Sequence, residues 1–234
     1  MFGFSKKHNP SVTAIIAAAG NGTRMNTKNS KQLIEIEDMP VIAHSLCAFQ
    51  NSELIDEIVI VTRESDLLVM ADIAKEFGIT KVTHIIKGGE TRTESVKNGI
   101  DCARGDFVAI HDGARPCIKT EHIDLTIKRA FEAKAAALGC VVTDTLKKVD
   151  DNGFITATVD RSNLWQIQTP QVFEKKLIEK AYKEADTNGA TDDCMLVEAI
   201  GVRVAMVQGD KGNIKVTLQE DVGLATAILK EMNK

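Results

Sequence analysis

"IIAAAGNGTRMNTKNSKQL" (residues 15–33) turns an apolar run into a loop of small residues, then delivers Arg24, Lys28 and Lys31. Ala17 to Gly22 has almost no side chains, so backbone N–H groups there can come close to a phosphate. A short apolar strand ending in such a loop is the opening unit of an α/β sheet, whose ligands sit just past the C-terminal ends of the strands. Two common nucleotide fingerprints fail. Gly20 and Gly22 begin G-x-G-x-x-G, but Met25 takes the third glycine position, and no acidic residue follows where a dinucleotide fold would hold a ribose. No G-K-[ST] follows either, so this is not a P-loop. Arg24 adds a planar, multi-donor head and Lys31 a mobile point charge. The loop reads either as a phosphate site of another kind or as a tight turn with surface cations.

The pattern around this loop repeats. "TAIIAAA" (13–19), "EIVIVT" (57–62), "KVTHII" (81–86), "DFVAIH" (106–111) and "LGCVVT" (138–143) predict strands. Each is apolar on both faces, as a parallel strand covered by helices must be. Between them, "SDLLVMADIAKEFG" puts Leu67, Met70, Ala74 and Phe77 on one helical face, with Ser65 as N-cap and Gly78 as the stop. Ile123, Ile127 and Phe131 recur four apart, and Thr217 with Glu220 suggests a capping box before a helix through Leu229. Alternating β and α elements predict a mostly parallel sheet with helices on both faces, in a single domain spanning 1–234. Residues 143–168 break the alternation. Asp151-Asn152-Gly153 between two β-like runs reads as the turn of a projecting hairpin. Such an arm has too little core to stand alone and would be covered by a second subunit.

Composition narrows the function. A net charge of −4 and 4% aromatic residues argue against nucleic-acid binding, which leaves a basic footprint or a stacking surface. Five cysteines without C-x-x-C spacing read as reduced thiols in a cytoplasmic protein rather than as zinc ligands or disulfides. No run is long and apolar enough for a membrane span, and the N-terminus lacks a signal-peptide pattern.

More strand ends carry chemistry. After the third strand, "KGGETRTES" exposes backbone at Gly88-Gly89 and supplies Arg92 and Ser95, three apart on the helix that begins there. After the fourth, "IHDGARPCI" places Asp112 where a carboxylate could bind Mg²⁺, or could pair with Arg115 to hold the loop. His111 reads as a core histidine and Trp165 as a packing residue. Thr191, Asp192 and Asp193 read as a helix N-terminus. Lys215, in the strand-like run "GDKGNIKVT", could point into a site or outward. The convergence suggests a nucleoside triphosphate with Mg²⁺ and a second anionic ligand.

"AAAGNGTRM…SKQL", "GGETRTESV", "HDGARP", "DRSNLWQIQTPQVF", "TDD" and "GNIKVT" occur in the order found in the 2-C-methyl-D-erythritol 4-phosphate cytidylyltransferases, which the chain resembles from about residue 12 to about 232. The resemblance implies a Rossmann-like fold and a homodimer whose β-arm reaches the partner's active site. It implies CMP transfer from CTP to methylerythritol phosphate with Mg²⁺, in the non-mevalonate isoprenoid pathway. By motif, Arg24 and Lys31 would stabilise the pentacoordinate α-phosphate. Ala18, Ala19, Gly20, Gly22, Gly89, Glu90, Arg92 and Ser95 would cradle CTP. Asp112, Arg115, Thr145, Arg161, Thr191 and Lys215 would hold methylerythritol phosphate, some of them from the partner, with Asp112 also a metal ligand. Two positions depart from the family: Ser30 replaces a common proline and Gly113 a common alanine. The rival readings are a ribitol 5-phosphate cytidylyltransferase, where HDSVRP is usual around Asp112 and a Trp165-type residue is lacking, and a non-catalytic nucleotide-binding module.

Overall fold

The computed structural model of the chain describes residues 10–20 and 30–232. The first strand, β1 (Val12–Ala17), is buried from Val12 to Ile16. A 3-10 turn at Lys31–Leu33 leads into a small antiparallel pair, β2 (Glu35–Ile36) and β3 (Met39–Pro40). Then come α1 (Val41–Asn51), β4 (Glu57–Thr62), α2 (Leu67–Glu76), β5 (Val82–Lys87), α3 (Arg92–Cys102), β6 (Phe107–Asp112), α4 (Thr120–Ala133) and β7 (Ala135–Val141). The alternation expected from the sequence is present, with four strands within two residues of their expected ends. The last begins three residues before the expected 138. Ala135, Ala136 and Ala137 have little strand preference of their own, but they are fully buried and paired with β10 (Trp165–Glu174).

That strand is the main departure from the sequence expectation, in which the arm runs to 168 and residues 169–174 belong to no element. It enters the seven-stranded sheet antiparallel to both β6 and β7. After α5 (Lys175–Glu184) and α6 (Asp193–Ala199), β11 (Ala205–Gln208) pairs in parallel with β7, and α7 (Gln219–Met232) closes the chain. The sheet order is β11-β7-β10-β6-β1-β4-β5. The register along β10 shifts between Ile167 and Gln171, across Pro170, which has no N–H to give the ladder.

Adjacent β1 residues face opposite sides of the sheet. Ile16 packs with Leu46, Phe49, Met70 and Ile127, from α1, α2 and α4. Ile15 packs with Val96, Ile100, Phe173 and Ile178, joining α3, α5 and β10. Fully burying one such side chain contributes roughly 1.5–3 kcal/mol. The α2 stop falls at Gly78 as expected: its φ is +64°, and the N–H of Ile79 donates to Ala74 O at 2.8 Å in a Schellman closure. At the start of α7, Asp221 rather than Glu220 takes the N–H groups of Thr217 and Leu218 and the Thr217 hydroxyl.

The hairpin is where the sequence places it. β8 (Lys147–Val149) and β9 (Ile155–Thr158) pair antiparallel. Asp150 Oδ1 closes the turn by accepting from the N–H groups of Asn152 and Phe154, and Gly153 has φ +85°. Every residue of the two strands is exposed, and Phe154 at the tip is 71% exposed.

Candidate active site

A cleft of about 560 Å³ opens at the C-terminal ends of β1, β4, β5 and β6. Its walls are Ala17, Ala19 and Gly20 after β1, Thr62 to Ser65 after β4, Lys87 to Arg92 after β5, and Asp112 and Ala114 after β6, joined by Lys31, Gln32, Ser95 and Lys215. Ala18 lies below the floor, its N–H donating to Val61 O at 2.7 Å. Gly88 must be glycine for space: a Cβ there would lie 2.5 Å from the Ala19 Cβ and 2.6 Å from the Ser95 Oγ. The two backbone loops thus touch, and the cleft is narrow where they meet.

Local capping holds the second loop. The Thr91 side chain accepts from Glu94 N, and the Glu94 carboxylate accepts from the N–H groups of Glu90 and Thr91, forming a capping box that starts α3. The helix is expected from the sequence; the box is a finding of the fold. Ser95 faces back to the loop, with its Oγ accepting from Gly89 N at 3.1 Å. Arg92 is therefore delivered by the first turn of a fixed helix.

Asp112 is the electrostatic centre. Its Oδ2 accepts from Lys215 Nζ at 2.7 Å and lies 3.8 Å from Arg115 Nε, while its Oδ1 lies 3.4 Å from Arg92 Nε. Burial by itself would raise this carboxyl, but the charges of Arg92, Lys215 and Arg115 hold it far below the usual carboxylate range. Its backbone N–H donates to Thr169 Oγ1, which lies 3.1 Å from His111 Nδ1. His111 is fully buried, which pushes its pKa down to about 3 and keeps it neutral; it is the core residue that the sequence suggests. Lys215 comes from an irregular segment rather than a strand, and its side chain points inward. Arg115 braces that segment by donating through Nη1 to Asn213 O at 2.7 Å.

Arg92 also pairs at 2.8 Å with Asp193, which the sequence alone presents as part of a helix N-terminus. Asp192 is indeed the N-cap of α6, accepting from Met195 N. Nothing in the sequence sets Asp193 apart, because a carboxylate in a first helical turn usually serves the helix dipole. Thr145, Arg161 and Thr191 are exposed and stand outside the cleft of the single chain, with Arg161 donating to Thr143 O. Gly22 and Arg24 lie outside the described residues. Trp165 opens β10 opposite Val141 and remains 37% exposed rather than packed away.

Five cationic and three acidic side chains are among the described residues of the cleft wall, although the chain as a whole is acidic. That local excess suits a polyanion. A metal held by the protein alone fits less well. No group of three or more His, Cys, Asp or Glu that could hold an ion occurs among the described residues, and Asp112 is already ringed by three cations. The residues present do not fit Asp112 as a direct Mg²⁺ ligand.

Residues 12–231 match the family described as 2-C-methyl-D-erythritol 4-phosphate cytidylyltransferase. A relative of that name from Caldanaerobacter subterraneus is 46% identical over 225 residues, covering 94% of this chain and 99% of the relative. One from Syntrophus aciditrophicus is 41% identical over 227 residues, covering 95% and 97%. The crystal structure of 4-diphosphocytidyl-2C-methyl-D-erythritol synthase from Anaerococcus prevotii is 33% identical and superposes with a TM-score of 0.83 over 94% of this chain and 96% of that one.

Proposed function

We propose an assignment of roles in the cleft from the premise that the chain belongs to the 2-C-methyl-D-erythritol 4-phosphate cytidylyltransferase family. The chain is a cytidylyltransferase of the non-mevalonate isoprenoid pathway. It transfers CMP from CTP to 2-C-methyl-D-erythritol 4-phosphate, giving 4-diphosphocytidyl-2-C-methyl-D-erythritol and pyrophosphate. A phosphate oxygen of the acceptor attacks the α-phosphorus of CTP. A new P–O bond forms as the bond to the bridging oxygen breaks, and pyrophosphate leaves with that electron pair. No covalent protein nucleophile is needed, because positioning and charge stabilisation supply the rate.

The backbone of Ala19, Gly20 and Gly89 approaches the triphosphate, with Ala18 beneath, Glu90 beside it, and Arg92 and Ser95 completing the nucleotide side. Gly22 and Arg24 join them by family motif. Lys31 and Arg24 meet the charge that grows on the α-phosphoryl oxygens. On the acceptor side Lys215 faces the phosphate, Asp112 accepts from an acceptor hydroxyl, and Arg115 braces Lys215. The observation that carries this reading is that Lys31, Arg92, Asp112 and Lys215, far apart in sequence, line one cleft. Nucleotidyltransferases generally depend on a divalent metal. Mg²⁺ takes hard oxygen ligands and is commonly held through substrate phosphates, so here it belongs to the CTP complex rather than to Asp112.

We further propose a homodimer in which the arm carries Thr145 and Arg161 to the partner's cleft, where Thr191 also serves the acceptor. Among the described residues no helix is long and apolar enough to cross a membrane, and polyanionic substrates suit a cytoplasmic, single-domain enzyme. Pyrophosphate release, measured with CTP and either acceptor, tests the assignment. Methylerythritol phosphate is expected to react at least about a hundredfold faster than ribitol 5-phosphate, since a site built to bond particular hydroxyls rejects analogues that misplace them. Equal rates would remove the acceptor assignment, and silence with both would favour a binding module.

A further inference from the structure

Arg92 reaches two carboxylates at once, through Nη2 to Asp193 Oδ2 at 2.8 Å and through Nε to Asp112 Oδ1 at 3.4 Å. Its Nη1 bonds to none of the described residues, and the side chain keeps 31% exposure where it lines the cleft. Asp193 is a different kind of residue. It does not line the cleft, and its side chain is 1% exposed. Two elements besides α3 converge on it. Tyr182 Oη, from α5, donates to its Oδ1. Gln171 Oε1, from β10, accepts from the N–H groups of Asp193 and Cys194 at 3.1 Å each. Gln171 Nε2 in turn donates to Asp192 Oδ2 at 2.9 Å, locking the turn that carries Asp193.

A carboxylate taken out of water is costly unless it is paired and hydrogen-bonded, and an apolar group of the same size would often pack as stably. Tyr182 takes Oδ1 of the Asp193 carboxylate while Gln171 holds its backbone, which leaves Oδ2 for one guanidinium. Burial pushes the Tyr182 phenol well up, and the neighbouring Asp193 charge adds to the rise, so the hydroxyl stays a donor through the neutral range. Burial would weaken the Arg92 charge, but Asp193 and Asp112 together hold the guanidinium protonated.

We propose that Asp193, fixed by Tyr182 and Gln171, is the positioning residue of Arg92, holding the guanidinium so that its remaining N–H groups face the nucleotide. This rests on the reading of Arg92 as a nucleotide-side cation. Without Asp193, Arg92 would fall back on Asp112 and compete with Lys215 for that carboxylate. The proposal therefore ties the two substrate sides together through one side chain that touches neither substrate.

A double-mutant cycle on the full chain tests it. Asp193→Asn and Tyr182→Phe are made in the native and in the Arg92→Ala background, and CTP Kd is read by calorimetry beside kcat and the two KM values. In the native background Asp193→Asn is expected to weaken CTP binding about tenfold and Tyr182→Phe about threefold. In the Arg92→Ala background both effects should shrink below about twofold. An equal loss in both backgrounds would show a general structural role and overturn the proposal while leaving the Arg92 reading intact. If Arg92→Ala alone leaves CTP Kd unchanged, the nucleotide-side reading fails, and the proposal with it. Should Asp193→Asn fail to fold, the milder Tyr182→Phe completes the cycle alone.

Discussion

Lys31 and Ser30 show how a single residue can carry chemistry or geometry. Ser30 has φ −58° and ψ 133°, the backbone that proline imposes, so the replacement of the family's usual proline keeps its conformation. Gly113, the other departure, has little room to spare: a Cβ there would meet Ile16 Cγ2 at 3.2 Å. Lys31, next to Ser30, lines the cleft. If it acts on charge that develops only in the transition state, Lys31→Ala lowers kcat by about 10²–10³, as removal of an oxyanion donor does. CTP Kd should then move by less than about threefold. Single-turnover rates beside calorimetry decide the matter, and equal losses in both would sink the transition-state role. Lys215, in an irregular segment, was carried by the family motif alone, while Arg92 and Asp112 were readable because strand ends with glycine, arginine and aspartate announce ligands. Asp193 was not, because a carboxylate at a helix start usually serves the dipole, and only the fold reveals that this one points inward to Arg92.

At the scale of elements, the parallel strands and the helices between them follow from apolar runs and helical periodicity. β10 did not, since its sequence mixes glutamines, a threonine and a proline among its apolar residues and gives neither a continuous run nor a clean alternation. Three of its polar residues are buried but bonded: Thr169 to Asp112 N, Gln171 to α6, and Gln168 to Asp210 O. The arm was legible from its turn residues. With Val149, Phe154 and Ile155 exposed on a two-stranded ribbon, it lacks a core of its own. If the proposed dimer forms through the arm, Phe154→Asp shifts the protein toward monomer in sedimentation. The acceptor KM should rise about tenfold, because Thr145 and Arg161 are then no longer delivered, while CTP Kd stays within about twofold. A dimer that persists with unchanged kinetics would remove the arm from the interface.

At the scale of the whole molecule, pH tests the core through His111. Its folded pKa is pushed down to about 3 by burial, with Asp112 raising it and Arg115 lowering it; the unfolded value is about 6.5. Between those values the unfolded chain binds a proton that the folded chain refuses. Stability is therefore fully present above about pH 6.5 and is lost as pH falls toward about 3, at roughly 1.4 kcal/mol per unit from this group. Urea unfolding at pH 7, 6 and 5 should show a steeper loss for the native chain than for His111→Gln, whereas matching slopes would assign the loss to other groups. The insertion of β10 between β6 and β7 has one more consequence, for synthesis. On the ribosome β6 and β7 are both made before the strand that separates them. A nascent chain that ends before residue 165 presents β6 as an open edge, with its ladder N–H and C=O groups ready to capture any passing strand. In that interval the chain is open to mispairing before its active site exists.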